Sequence, residues 1–334
     1  MITKKQLLNE FKGKKILVTG GSGSVGKAIV TEILKYKPKA IRILTNDENS
    51  IFEMNNSIGN KPSLTYMIGD VRDMERVKLA IRNVDVVFHA AAMKHVDICE
   101  ANPFDAVKTN VIGTSNLIEA ALLENVSKFI FISTDKATNP STTLGASKLL
   151  AERITQDAGH YRGIGKTIFT IVRFGNVLGS RGSVFQIFFD NLKHNQSLTV
   201  TDERMTRFVM SLSESANLIL KVTVIAKDGE IYILKMPSVK IIHLAKTMIK
   251  IFQDKYKKFD KKIIIGKIRN KEKLHEYLIT SNEIQYCHDE GILYKISKEF
   301  TKKEINRKEI SSETTQKISE KNLEKLISQL MDEF

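Results

Sequence analysis

The segment KKILVTGGSGSVG, residues 14–26, decides the fold of this chain. Lys14–Gly20 is typical of a buried β-strand, and an amphipathic helix is predicted to follow over Ser24–Tyr36. Between them, Gly20, Gly23 and Gly26 have the spacing TGxxGxxG. Glycines permit a tight turn and let backbone N–H groups approach a pyrophosphate at the N-terminus of the helix. Such a turn could also bind nothing, but its place between a strand and a helix favours a dinucleotide site.

Short apolar runs alternate with helical patterns through the first 240 residues. This alternation predicts an α/β fold with a doubly wound parallel sheet of the Rossmann type. Further strands are predicted at Ile41–Thr45, Leu64–Gly69, Val84–Ala91, Lys128–Thr134, Ile168–Phe174 and Glu230–Met236. Further helices are predicted near Asp73–Ile81, Phe104–Leu123 and Ser141–Thr155.

The chain is expected to divide into two domains and a tail. Residues 1–175 are predicted to form the dinucleotide-binding Rossmann domain, with part of residues 205–240 returning to it. Residues 176–204 and 241–290 are predicted to form a smaller α/β substrate-binding domain. Residues 291–334 are predicted to be a polar, helical C-terminal tail, with apolar residues at helical spacing over Ser311–Met331.

The composition argues against several classes of protein. The net charge of +14 suggests nucleic-acid binding, but the basic residues are spread along the chain without interleaved aromatic side chains. We therefore expect no nucleic-acid partner, although a positive field would attract an anionic diphosphate. Cys99 and Cys287 are too few and too far apart for a disulfide framework or a zinc site, so no metal is expected and a cytoplasmic location fits. The N-terminus lacks a signal-peptide core, and no apolar run is long enough to predict a membrane span.

Other strand ends are predicted to complete the cofactor site. Asp70 and Val71 follow the third strand, where an acidic side chain commonly faces adenine, although Asp70 could instead cap the next helix. Ala90 and Ala91 end the fourth strand, where small side chains leave room for a cofactor or simply pack. The residues predicted to bind the cofactor are thus Thr19, Gly20, Gly23, Ser24, Val25, Gly26, Thr45, Asp70, Val71, Ala90 and Ala91.

The end of the second strand bears on the choice between NAD and NADP. NAD-binding proteins usually have a carboxylate there to accept the ribose hydroxyls. This chain has Thr45-Asn46-Asp47, so the first position is a neutral hydroxyl, which a 2′-phosphate would tolerate. The neutral hydroxyl favours NADP. NAD stays open because no arginine follows at once.

Two further segments carry a catalytic pattern: STDKA, residues 133–137, ends the fifth strand, and LGASK, residues 144–148, opens the next helix. With HAAAMKHV (89–96), RFGNVLGSRGSV (173–184), MTRFVMS (205–211) and KLHEYL (273–278), they resemble the extended short-chain dehydrogenase/reductase family. More narrowly, they are similar to its sugar-nucleotide 4,6-dehydratases of capsule, O-antigen and flagellin-sugar synthesis. The resemblance covers roughly residues 13–283 and therefore both expected domains.

The resemblance implies a particular reaction. Hydride leaves C4 of a sugar for the cofactor, water is lost across C5 and C6, and hydride returns to C6. Thr134 would bond the 4-hydroxyl, Asp135 would be the acid at the 6-hydroxyl, and Lys136 the base at C5. A lysine base must lose its proton, so we expect burial and neighbouring positive charge to depress the pKa of Lys136. Read alone, Asp135 and Lys136 could equally be an exposed ion pair or a cap, and Thr134 an ordinary strand residue.

The family's Tyr-x-x-x-Lys pattern is only half present. Lys148 matches the lysine, which by the resemblance binds the nicotinamide ribose of the cofactor. Leu144 stands in the tyrosine position and cannot move a proton. Some members of this branch have methionine there, so activity is not excluded, and Lys136, Thr134 or a bound water stay open as the first base. His89 is expected to be structural.

Three arginines are expected to bind the substrate diphosphate, because a guanidinium pairs with phosphate oxygens through a planar fork. By the resemblance these are Arg181, Arg207 and Arg269, although each alone could be a surface charge. Asn176, after the sixth strand, is expected to bind the same diphosphate. Lys94 is expected to close over the substrate phosphates or the cofactor, or to lie in a solvated loop.

Glu272 is expected, by the same resemblance, to bind the ribose hydroxyls of the substrate nucleotide. The family form of residues 269–273 is Arg-Pro-Gly-Glu-Lys. Here Asn270 and Lys271 stand in place of Pro-Gly, so the shape of this loop is left open.

The leading hypothesis is a lyase, a UDP-N-acetylglucosamine 4,6-dehydratase or close relative with tightly bound NADP or NAD, and the resemblance implies a homo-oligomer. A UDP-sugar 4-epimerase, which shares the cofactor and the first oxidation, is the alternative. Since an epimerase needs no Asp-Lys pair beside the threonine, STDKA counts against it. A cofactor-binding protein without turnover is the third hypothesis, suggested by the missing tyrosine.

Overall fold

The computed structural model describes residues 2–161, 163, 165–256, 260–268, 271–297, 299 and 309–333. Its strands are β1 (Lys15–Thr19), β2 (Ala40–Thr45), β3 (Leu64–Ile68), β4 (Val86–His89), β5 (Lys128–Ile132), β6 (Ile168–Arg173), β7 (Asn176–Val177), β8 (Leu198–Val200), β9 (Thr206–Met210), β10 (Ile231–Leu234), β11 (Ser238–Lys240), β12 (Ile263–Ile265), β13 (Tyr277–Ile279), β14 (Cys287–Asp289), β15 (Leu293–Ile296) and β16 (Ile310–Ser311). Its α-helices are α1 (Lys4–Phe11), α2 (Ser24–Leu34), α3 (Glu48–Ile58), α4 (Met74–Ile81), α5 (Val96–Ala101), α6 (Pro103–Val107), α7 (Gly113–Leu123), α8 (Thr143–Asp157), α9 (Val184–Lys193), α10 (Leu212–Ile225), α11 (Ile241–Lys255) and α12 (Glu320–Glu333).

The main sheet has nine strands in the order β14-β15-β10-β6-β5-β4-β1-β2-β3. Strands β1 to β6 and β10 run parallel, whereas β15 and β14 complete one edge in antiparallel pairing. The strand order reverses between β1 and β4, where Thr19 pairs with His89 at the carboxyl ends. A doubly wound sheet leaves a crevice outside the strand ends at such a reversal. The predicted α/β fold is therefore confirmed, and the reversal locates the candidate site.

The predicted strands of this sheet are present, with ends that differ by one or two residues. The helix predicted over Phe104–Leu123 is interrupted, because a π-helical turn, Lys108–Ile112, joins α6 to α7. Two predictions for the end of the chain are wrong. The last helix begins at Glu320 rather than Ser311. Leu293–Ile296, inside the expected helical tail, is a strand that pairs with β10 and buries its two end residues.

Buried apolar side chains form two large clusters. One surrounds the main sheet, and the other is built from α9, α11, α12 and the short strands β8, β9 and β11. In the second cluster Leu323, Ile327 and Leu330 of α12 are buried, so this helix is part of a core and not an exposed appendage. The division of the chain into two domains at the bounds given above stays a prediction.

A buried ion cluster joins the sheet to the loop region after β13. Arg173, at the end of β6, is fully buried and donates to both carboxylate oxygens of Glu152 on α8 at 3.1 and 2.7 Å. It also donates to both oxygens of Glu283 at 3.1 and 2.9 Å and to the carbonyl of Leu278 at 2.9 Å. Bidentate pairs of this kind fix orientation as well as distance. Helix α8 and the residues after β13 are thereby held in one geometry.

Candidate active site at the strand ends

The glycine-rich loop between β1 and α2 has no room for side chains. Gly20 has a φ of +62°, and a Cβ there would lie 2.7 Å from the Cα of Ala91. A Cβ on Gly26 would overlap the carbonyl oxygen of Gly20. Helix α2 begins after Gly23 without a side-chain cap, so its first N–H groups face the loop, where an anion is favoured. The arrangement is the one that a pyrophosphate requires.

His89 lies at the centre of a hydrogen-bond chain beneath this loop. Its Nδ1 is 2.7 Å from Thr19 Oγ1, and its Nε2 is 2.9 Å from Thr114 Oγ1. Because Thr114 donates its only hydroxyl proton to the carbonyl of Asn110, His89 Nε2 must carry the proton and Nδ1 must accept from Thr19. Burial lowers the pKa of His89 to about 3, so the ring is neutral. It orients Thr19, which agrees with a structural role.

The end of β2 presents three buried hydroxyls. Ser22 donates to Thr45 Oγ1 at 3.0 Å, and Ser50 donates to Ser22 Oγ at 2.6 Å. The guanidinium of Arg181 reaches the same place: its Nη2 donates to the carbonyl of Ser22 at 2.9 Å, and its Nη1 is 3.7 Å from Asp47 Oδ2. Arg181 is expected to contact the substrate diphosphate. In the structure its side chain lies beside the glycine-rich loop between β1 and α2.

Arg181 is held there by its neighbours. Its backbone N–H donates to Ser24 Oγ at 2.9 Å, and its carbonyl accepts from Lys94 Nζ at 2.5 Å. Lys94 therefore bonds the loop after β7, and its expected contact with the substrate phosphates or the cofactor stays a prediction. Burial, together with the charge of Arg181, lowers the pKa of Lys94.

Asp70 and Val71 lie after β3, near the end of β2. Asp70 accepts from the backbone N–H and the guanidinium of Arg72 at 2.9 and 2.8 Å, and from Asn46 at 3.3 Å. Partial burial would raise the pKa of Asp70, but these bonds outweigh it and lower the pKa. Asp73, and not Asp70, caps helix α4 through a bond to the N–H of Arg76. Asp70 is thus not the cap of α4, and Val71, the next residue, is buried.

The catalytic pattern after β5 brings three side chains together. Thr134 Oγ1 donates to Asp135 Oδ1 at 3.0 Å, and Lys136 Nζ donates to the same oxygen at 3.0 Å. Asp135 is fully buried, and its other oxygen, Oδ2, has no hydrogen-bond partner among the described residues. A buried carboxylate oxygen without a donor is costly unless a ligand supplies one.

Lys136 lies between two buried carboxylates. Its Nζ is 3.0 Å from Asp135 Oδ1 and 3.6 Å from Glu276 Oε1. Burial alone would lower the pKa of Lys136, but the charges of Asp135 and Glu276 outweigh burial and the opposing charge of Arg207, so its pKa is raised. The expectation of a depressed pKa is therefore wrong. The sequence does not single out Glu276 as a functional residue. Its place inside KLHEYL, one of the segments that carry the family resemblance, was the available signal.

Lys148 points from α8 towards the ends of the central strands. Its Nζ donates to the carbonyl of Ile132 at 2.6 Å and lies 4.0 Å from the centre of the Phe131 ring. Burial lowers the pKa of Lys148 to about 7 although Glu152 opposes the shift. Leu144, one turn earlier, is buried against Cys99 and Ala106 and offers no proton acceptor.

Two residues predicted to bind substrate lie on β7 and β9. Asn176 Oδ1 is buried without a hydrogen-bond partner among the described residues. Arg207 donates to the carbonyls of Thr206, Leu274 and Lys273 at 2.8, 3.0 and 2.9 Å, and its Nη2 is 3.7 Å from Glu272 Oε1. Arg207 therefore anchors the loop that contains Glu272, and its contact with a diphosphate stays a prediction.

The shape of the loop in which Asn270 and Lys271 replace Pro-Gly was left open by the sequence, and the structure describes only part of it. Arg269 and Asn270 lie outside the described residues. Lys271, in the glycine position, has a φ of +65°, a left-handed conformation that glycine adopts most easily. Its Nζ is 2.6 Å from Glu100 Oε2, which ties the loop to α5.

Residues near the end of the chain support the Glu276 loop from behind. Ser312 Oγ accepts from the backbone N–H of Glu276 at 3.0 Å and donates to the carbonyl of Thr206 at 3.1 Å. The N–H of Ser312 donates to the carbonyl of Glu276 at 2.8 Å, and β16 pairs with β13. Elsewhere, the described residues contain no group of three or more His, Cys, Asp or Glu side chains that could hold a metal ion.

Residues 16–298 match the model of the family described as polysaccharide biosynthesis protein. An uncharacterised membrane protein of Methanocaldococcus jannaschii is 54% identical over 84% of this chain and 84% of that protein. The UDP-N-acetylglucosamine 4,6-dehydratase (inverting) of Campylobacter jejuni is 44% identical over 86% of this chain and 84% of that protein. The UDP-glucose 4-epimerase of Rickettsia bellii is 39% identical over 86% of this chain and 83% of that protein.

Among solved structures, Pen from Bacillus thuringiensis has a TM-score of 0.91 with this chain at 40% identity, covering 96% of this chain and 99% of that one. In the part of this chain that the structure describes, no helix is both long and apolar enough to cross a bilayer.

Proposed function

This chain belongs to the polysaccharide biosynthesis protein family, among the extended short-chain dehydrogenase/reductases, and we propose that it is a UDP-N-acetylglucosamine 4,6-dehydratase. The observation that supports a lyase most directly is the pair of Asp135 and Lys136, 3.0 Å apart at the end of β5. An acid and an amine side by side are what the loss of water across C5 and C6 requires. The product would be a 4-keto-6-deoxy sugar nucleotide for surface polysaccharide or glycan synthesis.

The residues of the chain fit a nicotinamide dinucleotide. The uncapped N-terminus of α2, after the glycine turn, would hold the pyrophosphate, and Lys148, whose Nζ lies at the end of β5, would donate to the nicotinamide ribose. When bound, such a cofactor supplies the chemistry of accepting hydride from C4 and returning it to C6. Of the two dinucleotides we propose NADP, because the guanidinium of Arg181 bonds the Ser22 carbonyl, and the Ser22 hydroxyl bonds Thr45, so a cation and neutral hydroxyls are available for a 2′-phosphate at the end of β2.

Proton movement follows from the hydrogen bonds around Asp135. Thr134 takes the 4-hydroxyl proton of the sugar as it passes its own proton to Asp135 Oδ1, 3.0 Å away. This relay replaces the tyrosine that Leu144 cannot supply. Asp135 then protonates the departing 6-hydroxyl, while Lys136 removes the C5 proton and later returns it to C5. The proton lost from the 4-hydroxyl thus leaves in the released water.

The substrate nucleotide is assigned to the side formed by β7, β9 and the Glu272 loop. Two observations support this assignment: Asn176 Oδ1 is buried without a hydrogen-bond partner among the described residues, and Arg207 and Lys273 supply cations at the Glu272 loop that could pair with a diphosphate. We also propose a homo-oligomer.

A UDP-sugar 4-epimerase is the second candidate, because the Rickettsia bellii relative carries that name at 39% identity. An epimerase returns hydride to C4 and needs neither an acid at C6 nor a base at C5. The two functions therefore differ in their use of Asp135 and Lys136.

The test is incubation of the purified protein with UDP-N-acetylglucosamine and NADP, with the product followed by mass spectrometry and NMR. Loss of one water with a new C6 methyl group is expected. Unchanged mass with inversion at C4 would instead establish the epimerase, and no change would favour a binding protein without turnover.

Lys136→Ala is expected to abolish water loss and leave cofactor binding intact. Lys193→Ala, which breaks a 3.3 Å surface pair with Asp190, is the matched control and should keep the parental rate. Full turnover by Lys136→Ala would remove Lys136 from the mechanism.

A further inference from the structure

The raised pKa of Lys136 leaves a proton to be accounted for, on the premise that the proposed dehydratase activity is correct. Lys136 rests as an ammonium ion, yet it must be neutral to take the C5 proton. Asp135 cannot receive the ammonium proton, because it already takes the proton of the 4-hydroxyl through Thr134. The site therefore needs a second proton acceptor next to Lys136.

Glu276 meets the requirements for that acceptor. Its Oε1 is 3.6 Å from Lys136 Nζ, a gap that a small side-chain rotation closes to a hydrogen bond. The residue is only 4% exposed, and its Oε2 has no hydrogen-bond partner among the described residues. A carboxylate that is buried and short of donors gains most from accepting a proton. Bonds from Ser312 to the backbone of Glu276 hold the loop that carries this carboxylate beside Lys136.

We infer that Glu276 receives the ammonium proton of Lys136 during the reaction and gives it back at the end. The N–H bond of Lys136 breaks and an O–H bond forms on Glu276, which leaves a neutral amine. That amine takes the C5 proton as Asp135 protonates the leaving hydroxyl. After hydride has returned to C6, the ammonium ion formed in this way releases its proton to C5, and the resulting amine recovers the stored proton from Glu276. Asp135 and Glu276 then end as carboxylates and Lys136 as an ammonium ion, as they began.

Other charges around this group decide how long the proton is held. Arg207 Nε is 4.0 Å from Glu276 Oε1, and Lys273 Nζ is 4.0 Å from Oε2. Both cations favour the charged carboxylate, so the proton stays on Lys136 while the site is empty. A substrate diphosphate beside these cations offsets their charge and allows the transfer. Glu276 acts through Lys136 and does not need to touch the sugar, so it is a positioning residue.

The test compares Glu276→Gln with the parent protein in single turnovers that follow reduced nicotinamide by absorbance and water loss by mass. C4 oxidation is expected to continue, since Thr134 and Asp135 are intact, whereas water loss should slow by about 10²-fold or more. Reduced nicotinamide then accumulates. Water loss by the variant should rise about tenfold per pH unit above neutral pH, because solvent must now deprotonate Lys136, while the parent rate stays nearly flat over that range.

Two further variants separate this role from a merely structural one. Glu276→Asp keeps a carboxylate and should retain the flat pH profile at a reduced rate. Glu230→Gln removes another buried carboxylate that lies 3.4 Å from a lysine, Lys295, and should leave both the pH profile and the nicotinamide signal unchanged. If thermal unfolding shows that Glu276→Gln is not folded, Glu276→Ala with added formate replaces it. Formate, but not chloride, is then expected to restore the rate of water loss.

The inference is overturned if Glu276→Gln retains the parental rate, or if oxidation and water loss fall equally without recovery at high pH. Absence of formate rescue in a folded Glu276→Ala protein would also overturn it. If the parent protein itself releases no water from UDP-N-acetylglucosamine, the proposed function fails and the proton assignment falls with it. If the parent protein is active and the Glu276 variants keep its rate and pH profile, the proton assignment alone is wrong.

Discussion

Arg181→Ala should bind the 2′-phosphorylated and the unphosphorylated dinucleotide with about equal affinity, whereas the parent protein should prefer the 2′-phosphorylated one. In the structure the guanidinium bonds the Ser22 carbonyl at 2.9 Å and stands beside the Thr45 hydroxyl cluster. A charge-assisted hydrogen bond contributes about 1.5–3 kcal/mol. The Arg181 side chain is 45% exposed, so screening places its contribution at the lower end, about 1.5 kcal/mol. Because each 1.4 kcal/mol is tenfold in affinity, the 2′-phosphate should bind roughly tenfold more weakly.

The measurement is isothermal titration of cofactor-free protein with 2′,5′-ADP and with 5′-ADP. Only the first ligand should lose affinity in Arg181→Ala, and its loss should shrink as salt is added. Arg204→Ala, which removes an exposed arginine paired with Asp202 at 2.7 Å, is the control for a general loss of positive charge. The reasoning is refuted if both ligands weaken equally, or if the parent protein does not prefer 2′,5′-ADP.

The loop and the lysine beneath the cofactor give two more predictions. Gly26→Ala places a Cβ against the Gly20 carbonyl, so dinucleotide binding should be lost in the same titration. The free energy of unfolding should fall by only about 1–3 kcal/mol. Normal dinucleotide binding by this variant would contradict the prediction. Lys148 has a folded pKa of about 7 against an unfolded value near 10.4, so the unfolded chain binds more protons between these values and stability should rise with pH there. Lys148→Met should remove that rise from the melting temperature of cofactor-free protein, and an unchanged pH slope would refute the shift.

Local patterns in the sequence were enough to predict the sheet and the cofactor loop. The residues of β1, the glycine turn and α2 are contiguous, and their periodicity depends on neighbours within a few positions. The same holds for the placement of Thr134, Asp135 and Lys136 directly after β5. The π-helical turn at Lys108–Ile112 has no such signal, since its residues continue a helical pattern on both sides.

The electrostatics of the site could not be predicted in this way, because they depend on side chains far apart in sequence. Against the effect of burial, the pKa of Lys136 is raised by its neighbour Asp135 and also by Glu276, from a loop beyond β12. The position of Arg181 beside Ser22 and Asp47 also joins residues far apart in sequence, so the residues after Thr45 could not reveal it. Likewise, Leu293–Ile296 looked like part of a polar tail because its strand partner, β10, lies much earlier in the chain.

The bonds between Ser312 and Glu276 give the protein an order of assembly during its synthesis. Every strand from β1 to β6, together with the glycine turn, has been translated before residue 180. Domains fold as the chain leaves the ribosome, amino-terminal parts first. The strands and the glycine turn of the proposed dinucleotide site therefore leave the ribosome well before Ile310–Ser312, whose bonds to Glu276 help to hold that loop. If the proposed function is correct, the part of the site that binds the coenzyme is complete early in synthesis and the part that removes water is complete last.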